Sequence, residues 1–338
     1  MTRPTRNKQW VLAKRPHGMI SEANWKLQEA PVPPLAEGEA LVQTLYLSCD
    51  PTMRGWMEDR PSYLPPVGIG EVMRAGSIGR VIESRSPLVA VGDHVEGMAG
   101  WQQYSVIKPG TPFGGTKVPK EIDPPLLMGV LGITGLTAYF GLLDLGQPKA
   151  GETVVVSGAA GATGSIAGQI ARIQGCKVIG IAGGPDKCAW LTKEARFDAA
   201  IDYKRGDVGA QLRQLAPQGV DVYFDNVGGE ILDAVLEQIR MKARVVLCGG
   251  ISAYNEVTPP PGPRNLMNLV IQRARMEGFI VIDYAARFGE ARAKLKSWLD
   301  AGELVHQEDV VTGIENAPAA LLRLFSGKNL GKQLVKVA

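Results

Sequence analysis

The chain has 338 residues, of which 45% are hydrophobic and 21% charged, and its formal net charge is +3. This length is typical of about two domains, and the ordinary composition argues against a disordered, collagen-like or coiled-coil chain. Positive and negative residues nearly balance and form no long basic run. We therefore expect no nucleic-acid partner.

The chain up to about residue 125 consists of short apolar segments separated by turns, which is typical of a β-rich domain. Strands are predicted at 39–48 and 76–84, and residues 91–107 are predicted to form two strands around a glycine turn. The N-terminus carries positive charges without an apolar stretch behind them, so we expect no secretory signal and a cytoplasmic protein.

Residues 126–143 carry no charge over 18 positions, which meets the length rule for a membrane-spanning helix. Four glycines lower the hydrophobicity of this segment, Asp144 follows it at once, and it lies in mid-chain. These features favour a buried helix over a membrane span.

After residue 153, apolar runs alternate with helical stretches. Strands are predicted at 153–158, 177–183, 199–203, 220–228, 244–250 and 277–282. Apolar runs without alternation, separated by helices, indicate a parallel sheet covered on both faces, the doubly wound α/β arrangement of the Rossmann fold. The sixth strand would end the sheet, and a bare apolar edge favours pairing with another chain.

The C-terminal part begins with an amphipathic helix at 285–300 and continues with a strand (304–311), a helix (315–326) and a last strand (333–337). These elements are too few for a third domain, so we expect them to return to the N-terminal one. The predicted domains are therefore residues 1–128 with 303–338, and residues 129–302.

A glycine-rich turn, GAAGATGS (158–165), links the first strand of the α/β region to a helix. Backbone N–H groups and the dipole at such a helix start attract a pyrophosphate. Gly161 and Gly164 keep half of the dinucleotide fingerprint, whereas Ala159 stands where its first glycine is usual. The alternative is a tight turn that binds no ligand.

The end of the second strand distinguishes NAD from NADP. An NAD site usually has a carboxylate there, but this chain has Gly183 and Gly184, followed by Lys187. Without a carboxylate nothing repels a 2′-phosphate, and Lys187 can supply a counter-charge, so we predict NADPH. The alternative is that Lys187 is an ordinary solvated helix residue.

No metal site is predicted. The three histidines (His17, His94 and His306) lie far apart, and the four cysteines lack CxxC spacing. Cys49 beside Asp50 is the one place where a thiol and a carboxylate adjoin, and the better explanation of Cys49 is a small buried hydrophobic residue.

Hydride transfer to an activated C=C bond is a simple reaction for such a site. Attack at the β-carbon of an enone places negative charge on the carbonyl oxygen, which then needs a hydrogen-bond donor. Tyr254 follows the strand at 244–250, where ligands sit in doubly wound sheets, and a phenol donates without carrying charge. A structural loop tyrosine is the alternative.

Several motifs in order resemble one family. They are LGITGLTAYFGLLDLG (131–146), GAAGATGS, FDNVGGE (224–230), CGGISAYN (248–255), PPPGP (259–263) and NLGKQLVKV (329–337). The chain resembles the zinc-independent medium-chain dehydrogenases/reductases. Among them it resembles the NADPH-dependent alkenal double-bond reductases, which include the prostaglandin reductase/leukotriene B4 dehydrogenase group and bacterial curcumin reductases.

The resemblance implies a β-rich GroES-like catalytic domain beside the Rossmann domain, a homodimer formed across the sheet edge, and Tyr254 next to the enone carbonyl. It also implies 2′-phosphate contacts from Lys187 and Tyr203. The remaining cofactor contacts that it implies are Gly161, Ala162, Thr163, Gly164, Ser165, Asn226, Cys248, Gly249, Gly250, Ile251, Ser252, Phe279, Ile280, Val281 and Asn329.

The expected substrate pocket departs from the family pattern. Relatives usually read DPYMR where this chain has DPTMR, so Thr52 replaces a tyrosine beside Met53. Ile133 and Thr134 replace a Met-Pro pair expected to approach the nicotinamide. Two alternative functions remain open at this stage: an NADPH-dependent quinone reductase, and an NADPH-binding sensor or structural protein without turnover.

Overall fold

The structure, a computed structural model, describes residues 3–338 and divides into two compact units. Unit 1 comprises the chain up to Met128 together with Glu308–Asn329 and Gln333–Ala338. Unit 2 comprises Gly129–Gln307 and Leu330–Lys332.

Unit 1 is built mainly of antiparallel strands. Its strands are β1 (Arg6–Leu12), β2 (Trp25–Pro31), β3 (Ala40–Ser48), β4 (Ser77–Ser84), β5 (His94–Gly97), β6 (Tyr104–Ile107), β7 (Thr116–Val118), β14 (Glu308–Thr312) and β15 (Lys332–Lys336). The larger sheet has the order β14-β15-β3-β4-β5-β7, with β6 also paired to β3, while β1 and β2 pair separately. The helices are α1 (Met53–Trp56), α2 (Pro124–Met128) and α10 (Ala317–Phe325).

The two strands predicted within 91–107 both form, as β5 and β6, but they do not pair with each other. β5 lies between β4 and β7, whereas β6 pairs with β3. The intervening segment bonds to β1 instead: the Trp10 N–H donates to the carbonyl of Trp101, and the Gln103 N–H donates to that of Lys8. Pairing with β1 therefore replaces the expected local turn.

Unit 2 is a three-layer α/β unit around a parallel sheet. Its strands are β8 (Thr153–Ser157), β9 (Lys177–Ala182), β10 (Ala199–Asp202), β11 (Val220–Asp225), β12 (Ile239–Leu247) and β13 (Arg275–Gly278), in the order β10-β9-β8-β11-β12-β13. Its helices are α3 (Ile133–Phe140), α4 (Ala162–Ile173), α5 (Pro185–Lys193), α6 (Val208–Leu215), α7 (Gly229–Leu236), α8 (Asn268–Ile271) and α9 (Phe288–Asp300). Val155, Ile179 and Tyr223 lie in its apolar core.

The uncharged segment 126–143 is not one helix, which corrects the sequence prediction. α2 ends at Met128 and α3 begins at Ile133, with a turn between them. Gly135 packs against this turn so closely that a Cβ there would lie 1.8 Å from the carbonyl oxygen of Val130. Within residues 3–338, every helix is too short or too polar to cross a membrane.

The sixth strand is shorter than predicted and lies earlier in the chain. β13 covers Arg275–Gly278 and does form the edge of the sheet, as expected. The predicted strand residues 279–282 leave the sheet, and a 3₁₀ helix runs over Val281–Arg287. The ring of Phe279 lies against Gly141 and Tyr284, so its apolar character serves helix packing rather than a strand.

Candidate active site

The strand order of unit 2 creates a crevice at the carboxyl ends of β8 and β11. The chain runs from β8 outward to β9 and β10, then returns to β11 on the other side of β8. Ligands of doubly wound sheets bind at such a reversal of strand order. The segments after β8, β9, β11 and β12 carry most of the cofactor residues predicted from the sequence.

The turn after β8 is shaped for a group that approaches the backbone closely. Gly158 has a φ of +57°, and its carbonyl accepts the N–H of Gly161 at 2.9 Å. A Cβ on Gly164 would lie 2.4 Å from that same carbonyl oxygen. Among the described side chains none caps α4, which begins after Gly161. The turn therefore presents the helix-start amides of Ala162, Thr163 and Gly164, which fits a pyrophosphate.

Side chains of the turn are small or turned inward. Ser165 is buried, and its N–H donates to the carbonyl of Gly161 at 3.0 Å. The segment Leu330–Lys332 runs beside the turn, where the Gly331 N–H donates to the carbonyl of Ala160 at 2.9 Å. Gly331 has a φ of +71°, and a Cβ there would lie 1.9 Å from the Gln307 carbonyl oxygen, so only glycine fits. Asn329, a predicted cofactor residue, directly precedes this segment.

The turn after β9 has an open surface where the 2′-phosphate is predicted. The hydroxyl of Tyr203 lies over Gly183, since a Cβ on that glycine would be 2.7 Å from it. Gly184, with a φ of +101°, precedes α5, and half-buried Lys187 stands in the first turn of that helix. The structure thus brings Tyr203 onto the same turn that leads to Lys187.

Asp202, which the sequence analysis overlooked, holds this turn in place. Its Oδ1 accepts the N–H of Gly184 at 2.8 Å and the N–H of Lys204 at 3.0 Å. The hydrogen bond from Gly184 is the main cause that lowers the pKa of Asp202. This carboxylate lies at the end of β10, and its position next to the β9 turn follows from strand order, which the sequence pattern did not reveal.

Asn226 and the segment 248–252 meet at the end of β11. The carbonyl of Asp225 accepts the N–H groups of Cys248 and Gly249 at 2.9 and 3.1 Å. The carbonyls of Asn226 and Val227 accept those of Ile251 and Ser252 at 3.3 and 3.1 Å. Burial raises the pKa of Cys248 to about 12, with a further contribution from the charge of Asp225, so its thiol stays protonated.

Tyr254 lies at the same edge, just after the 3₁₀ helix Ile251–Ala253. It is half-buried, and its hydroxyl oxygen accepts the N–H of Gly250 at 3.3 Å. A Cβ on Gly249 would lie 3.1 Å from this hydroxyl. The phenol is therefore held over the glycines that follow β12, at the carboxyl end of the sheet.

Comparison with known proteins covers the whole chain. Residues 8–113 match a family described as the N-terminal domain of oxidoreductase, and residues 162–297 match one described as zinc-binding dehydrogenase. The NADPH-dependent curcumin reductase of Escherichia coli (strain K12) is 43% identical, over 98% of this chain and 97% of its own. The chain belongs to the NADPH-dependent alkenal double-bond reductases of the medium-chain dehydrogenase/reductase superfamily.

Two further relatives of this reductase agree with that assignment. The 2-alkenal reductase (NADP(+)-dependent) of Nicotiana tabacum is 39% identical over 100% of this chain and 99% of its own. The crystal structure of CurA from Vibrio vulnificus in complex with NADPH superposes with a TM-score of 0.93, at 43% identity and over 98% of this chain and 99% of that one. The expected fold, a Rossmann unit and a separate β-rich unit, is confirmed.

The predicted nicotinamide neighbours of the reductase differ in accessibility. Ile133 is exposed at the start of α3, while the Thr134 hydroxyl donates to the carbonyl of Gly129 at 3.0 Å. Phe279 directs its ring toward Gly141, and Val281 is buried. Of this set, Ile133 presents the most side-chain surface.

The two predicted pocket residues of unit 1, Thr52 and Met53, differ in burial. Met53 is fully buried in the unit-1 core beside Cys49 and Trp56. Thr52 is partly exposed, and its hydroxyl pairs with that of Tyr63, which also accepts the Trp56 Nε1–H at 3.3 Å. A tyrosine eleven positions later thus approaches Thr52 from another loop, a contact that no sequence spacing indicated.

One matched family is described as a zinc-binding dehydrogenase, but this reductase lacks a cluster of zinc ligands in its described residues. Across residues 3–338 there is no group of three or more His, Cys, Asp or Glu side chains that could hold a metal ion. Partial burial, aided by the charges of Lys120 and Arg80, lowers the pKa of His94. Cys49 is buried within an apolar cluster and forms no disulfide.

Proposed function

We propose that this reductase uses NADPH to reduce the C=C bond of α,β-unsaturated ketones and aldehydes. The observation that carries the proposal is the turn of small residues after β8, which lies where the strand order reverses. The chain is also 43% identical to a protein whose structure was solved with NADPH. The names of its relatives, a curcumin reductase and a 2-alkenal reductase, support this substrate class.

We assign most of the cofactor contacts to the segments that follow β8, β9, β11 and β12. The pyrophosphate would lie against the α4 amides, and Lys187 with Tyr203 would face the 2′-phosphate, which explains the preference for NADPH. The other assigned contacts are Gly161, Ser165, Asn226, Cys248, Gly249, Gly250, Ile251, Ser252, Phe279, Ile280, Val281 and Asn329.

Bound NADPH would supply a hydride to the substrate. The residues of the chain then have to stabilise the charge that develops on the carbonyl oxygen when the β-carbon is attacked. We assign this role to the Tyr254 phenol, which donates to that oxygen while the Gly250 N–H fixes its position. Ile133, exposed at the start of α3, is our proposed substrate contact in unit 2.

An acceptor assay with Tyr254→Phe tests this function. NADPH oxidation is followed with a medium-chain enone and, separately, with a quinone, and Tyr104→Phe in unit 1 serves as the matched control. We expect enone turnover to fall at least tenfold in Tyr254→Phe and to stay within twofold in the control. Turnover of the quinone alone would support a quinone reductase, and tight NADPH binding without turnover would support a sensor.

We further propose a homodimer through the β13 edge. Near this edge, the segment around α8 exposes Leu266, Met267, Val270 and Ile271, with 44–66% of each residue accessible. An apolar patch next to an unpaired strand edge favours association with a second copy. None of the four cysteines, all of which lie in the described part of the chain, forms a disulfide, which agrees with a reducing compartment, so we propose the cytoplasm.

A further inference from the structure

Ser157 and Asp225 end two neighbouring parallel strands and are both fully buried. The pairing of Val156 with Phe224 brings the next residue of β8 beside the next residue of β11. The Ser157 hydroxyl donates to Asp225 Oδ1 over 2.7 Å. No role for either side chain was predicted from the sequence.

The same oxygen is a shared acceptor. Asp225 Oδ1 also accepts the Tyr223 hydroxyl at 2.7 Å and the N–H groups of Val227 and Gly228 at 2.9 and 3.0 Å. Its Oδ2 is buried and has no hydrogen-bond partner in the part of the chain that the structure describes. Burying a carboxylate with one unpartnered oxygen is costly, so a compensating role is expected.

Ser157 links this carboxylate to the glycine turn. Its Oγ accepts the Asn226 N–H at 2.9 Å, and its carbonyl accepts the Asn226 Nδ2–H at 2.7 Å. The next residue, Gly158, begins the turn and has a φ of +57°. A Cβ placed on Gly158 would lie 3.3 Å from the Cβ of Asn226. Ser157, the last residue of β8 before the turn, is therefore fixed by hydrogen bonds at both its hydroxyl and its carbonyl.

We infer that Ser157 is a positioning residue for the dinucleotide: its hydroxyl, held between Asp225 and Asn226, sets where the glycine turn presents its amides. The inference rests on the proposed function, since it assigns the dinucleotide to that turn. The hydroxyl acts through the backbone and does not itself contact the cofactor.

Tyr223 provides a matched control. Its hydroxyl donates to the same oxygen over the same 2.7 Å, and it is equally buried, but its side chain lies in the apolar core of unit 2. Ser157→Ala and Tyr223→Phe each remove one donor to Asp225 Oδ1. Ser157→Ala also removes the acceptor of the Asn226 N–H. A purely structural role for the Asp225 network predicts a lower melting temperature for both variants and an unchanged cofactor affinity for both.

The test compares dissociation constants of NADPH and NADH, melting temperature and the KM of the enone. We expect both variants to melt at a lower temperature. Ser157→Ala should weaken both cofactors by about tenfold, the scale of one lost hydrogen bond to a charged group, with an unchanged enone KM. Tyr223→Phe should keep both dissociation constants within twofold, and Ser157→Thr, which keeps the hydroxyl, should stay within threefold of the wild type.

Unchanged binding in Ser157→Ala, or equal weakening in Tyr223→Phe, would overturn the inference while the proposed function stood. If Ser157→Ala does not fold, a large loss of cofactor affinity in Ser157→Thr overturns the inference and retained affinity supports it. Wild-type protein that binds neither cofactor would overturn the proposed function and this inference together.

Discussion

Lys187 shows how far a single residue could be interpreted from the sequence. The absence of a carboxylate after β9 and the presence of Lys187 could be recognised from the sequence, because both directly follow a single predicted strand. Asp202 was not visible in this way, since its contact with Gly184 joins two strands 18 residues apart. The hydrogen bond between Ser157 and Asp225 was missed for the same reason, since the two residues are 68 positions apart.

Replacing Lys187 by Ala should remove a charge-assisted phosphate contact and cost roughly 1–3 kcal/mol of NADPH binding. NADH lacks the 2′-phosphate, so its affinity should hardly change. Lys193→Ala, in the last turn of the same helix, is the matched control. Titration of each variant with both cofactors measures the difference, and equal losses for NADPH and NADH would rule out the role of Lys187.

The Cys248 thiol should resist alkylation in the folded protein. Its pKa is raised to about 12, so at pH 8 only a very small fraction is the reactive thiolate, and this fraction grows about tenfold per pH unit. Iodoacetamide labelling followed by mass spectrometry should therefore be far slower in the native protein than in urea, and faster at pH 9 than at pH 8. Equal rates in native and unfolded protein would contradict the raised pKa of this thiol.

At the scale of elements, periodicity predicted which segments are strands better than it predicted where they end. β3, β4 and β8 lie close to their predicted ranges. The segment 126–143 was mistaken for one helix because hydropathy does not register the close packing of Gly135 on Val130. Residues 279–282 were mistaken for strand because an apolar run is equally suited to helix packing.

The glycine turn makes a direct prediction for Gly164. A Cβ there would lie 2.4 Å from the Gly158 carbonyl, so Gly164→Ala must displace the turn and should cost about 1–3 kcal/mol of stability. NADPH binding should weaken with it. Gly289→Ala, where a Cβ meets nothing within 4 Å at the start of α9, is the control.

Thermal melts and NADPH titrations measure both changes. The control should bind NADPH like the wild type and melt at the same or a slightly higher temperature, because alanine favours a helix over glycine. A Gly164→Ala protein with wild-type melting and binding would show that the turn tolerates a side chain, contrary to its geometry here.

At the scale of the whole molecule, the alternation of strands and helices was enough to predict a doubly wound sheet. The strand order β10-β9-β8-β11-β12-β13 then decides which loops share an edge. Those loops come from segments up to about a hundred residues apart. The residue pattern alone indicated the turn after β8, Lys187 and Tyr254, and the other contacts could be named only through family resemblance. The hydrogen bonds that join them required the three-dimensional structure.

The proposed dimer can be tested by measuring the mass of the protein in solution. Val270→Glu places a charge in the apolar patch beside β13 and should shift the protein toward its 36.2 kDa monomer in sedimentation. Val91→Glu in unit 1, at 65% exposure against 66% for Val270, is the matched control and should leave the dimer intact. A wild-type protein that sediments as a monomer would refute the proposal.

The destination of the hydride tests the central claim most directly. NADPH carrying deuterium at the transferred position is incubated with the reductase and an enone, and the product is analysed by NMR. The account predicts deuterium on the former β-carbon with the carbonyl group intact. Deuterium on the carbinol carbon of an allylic alcohol would contradict it.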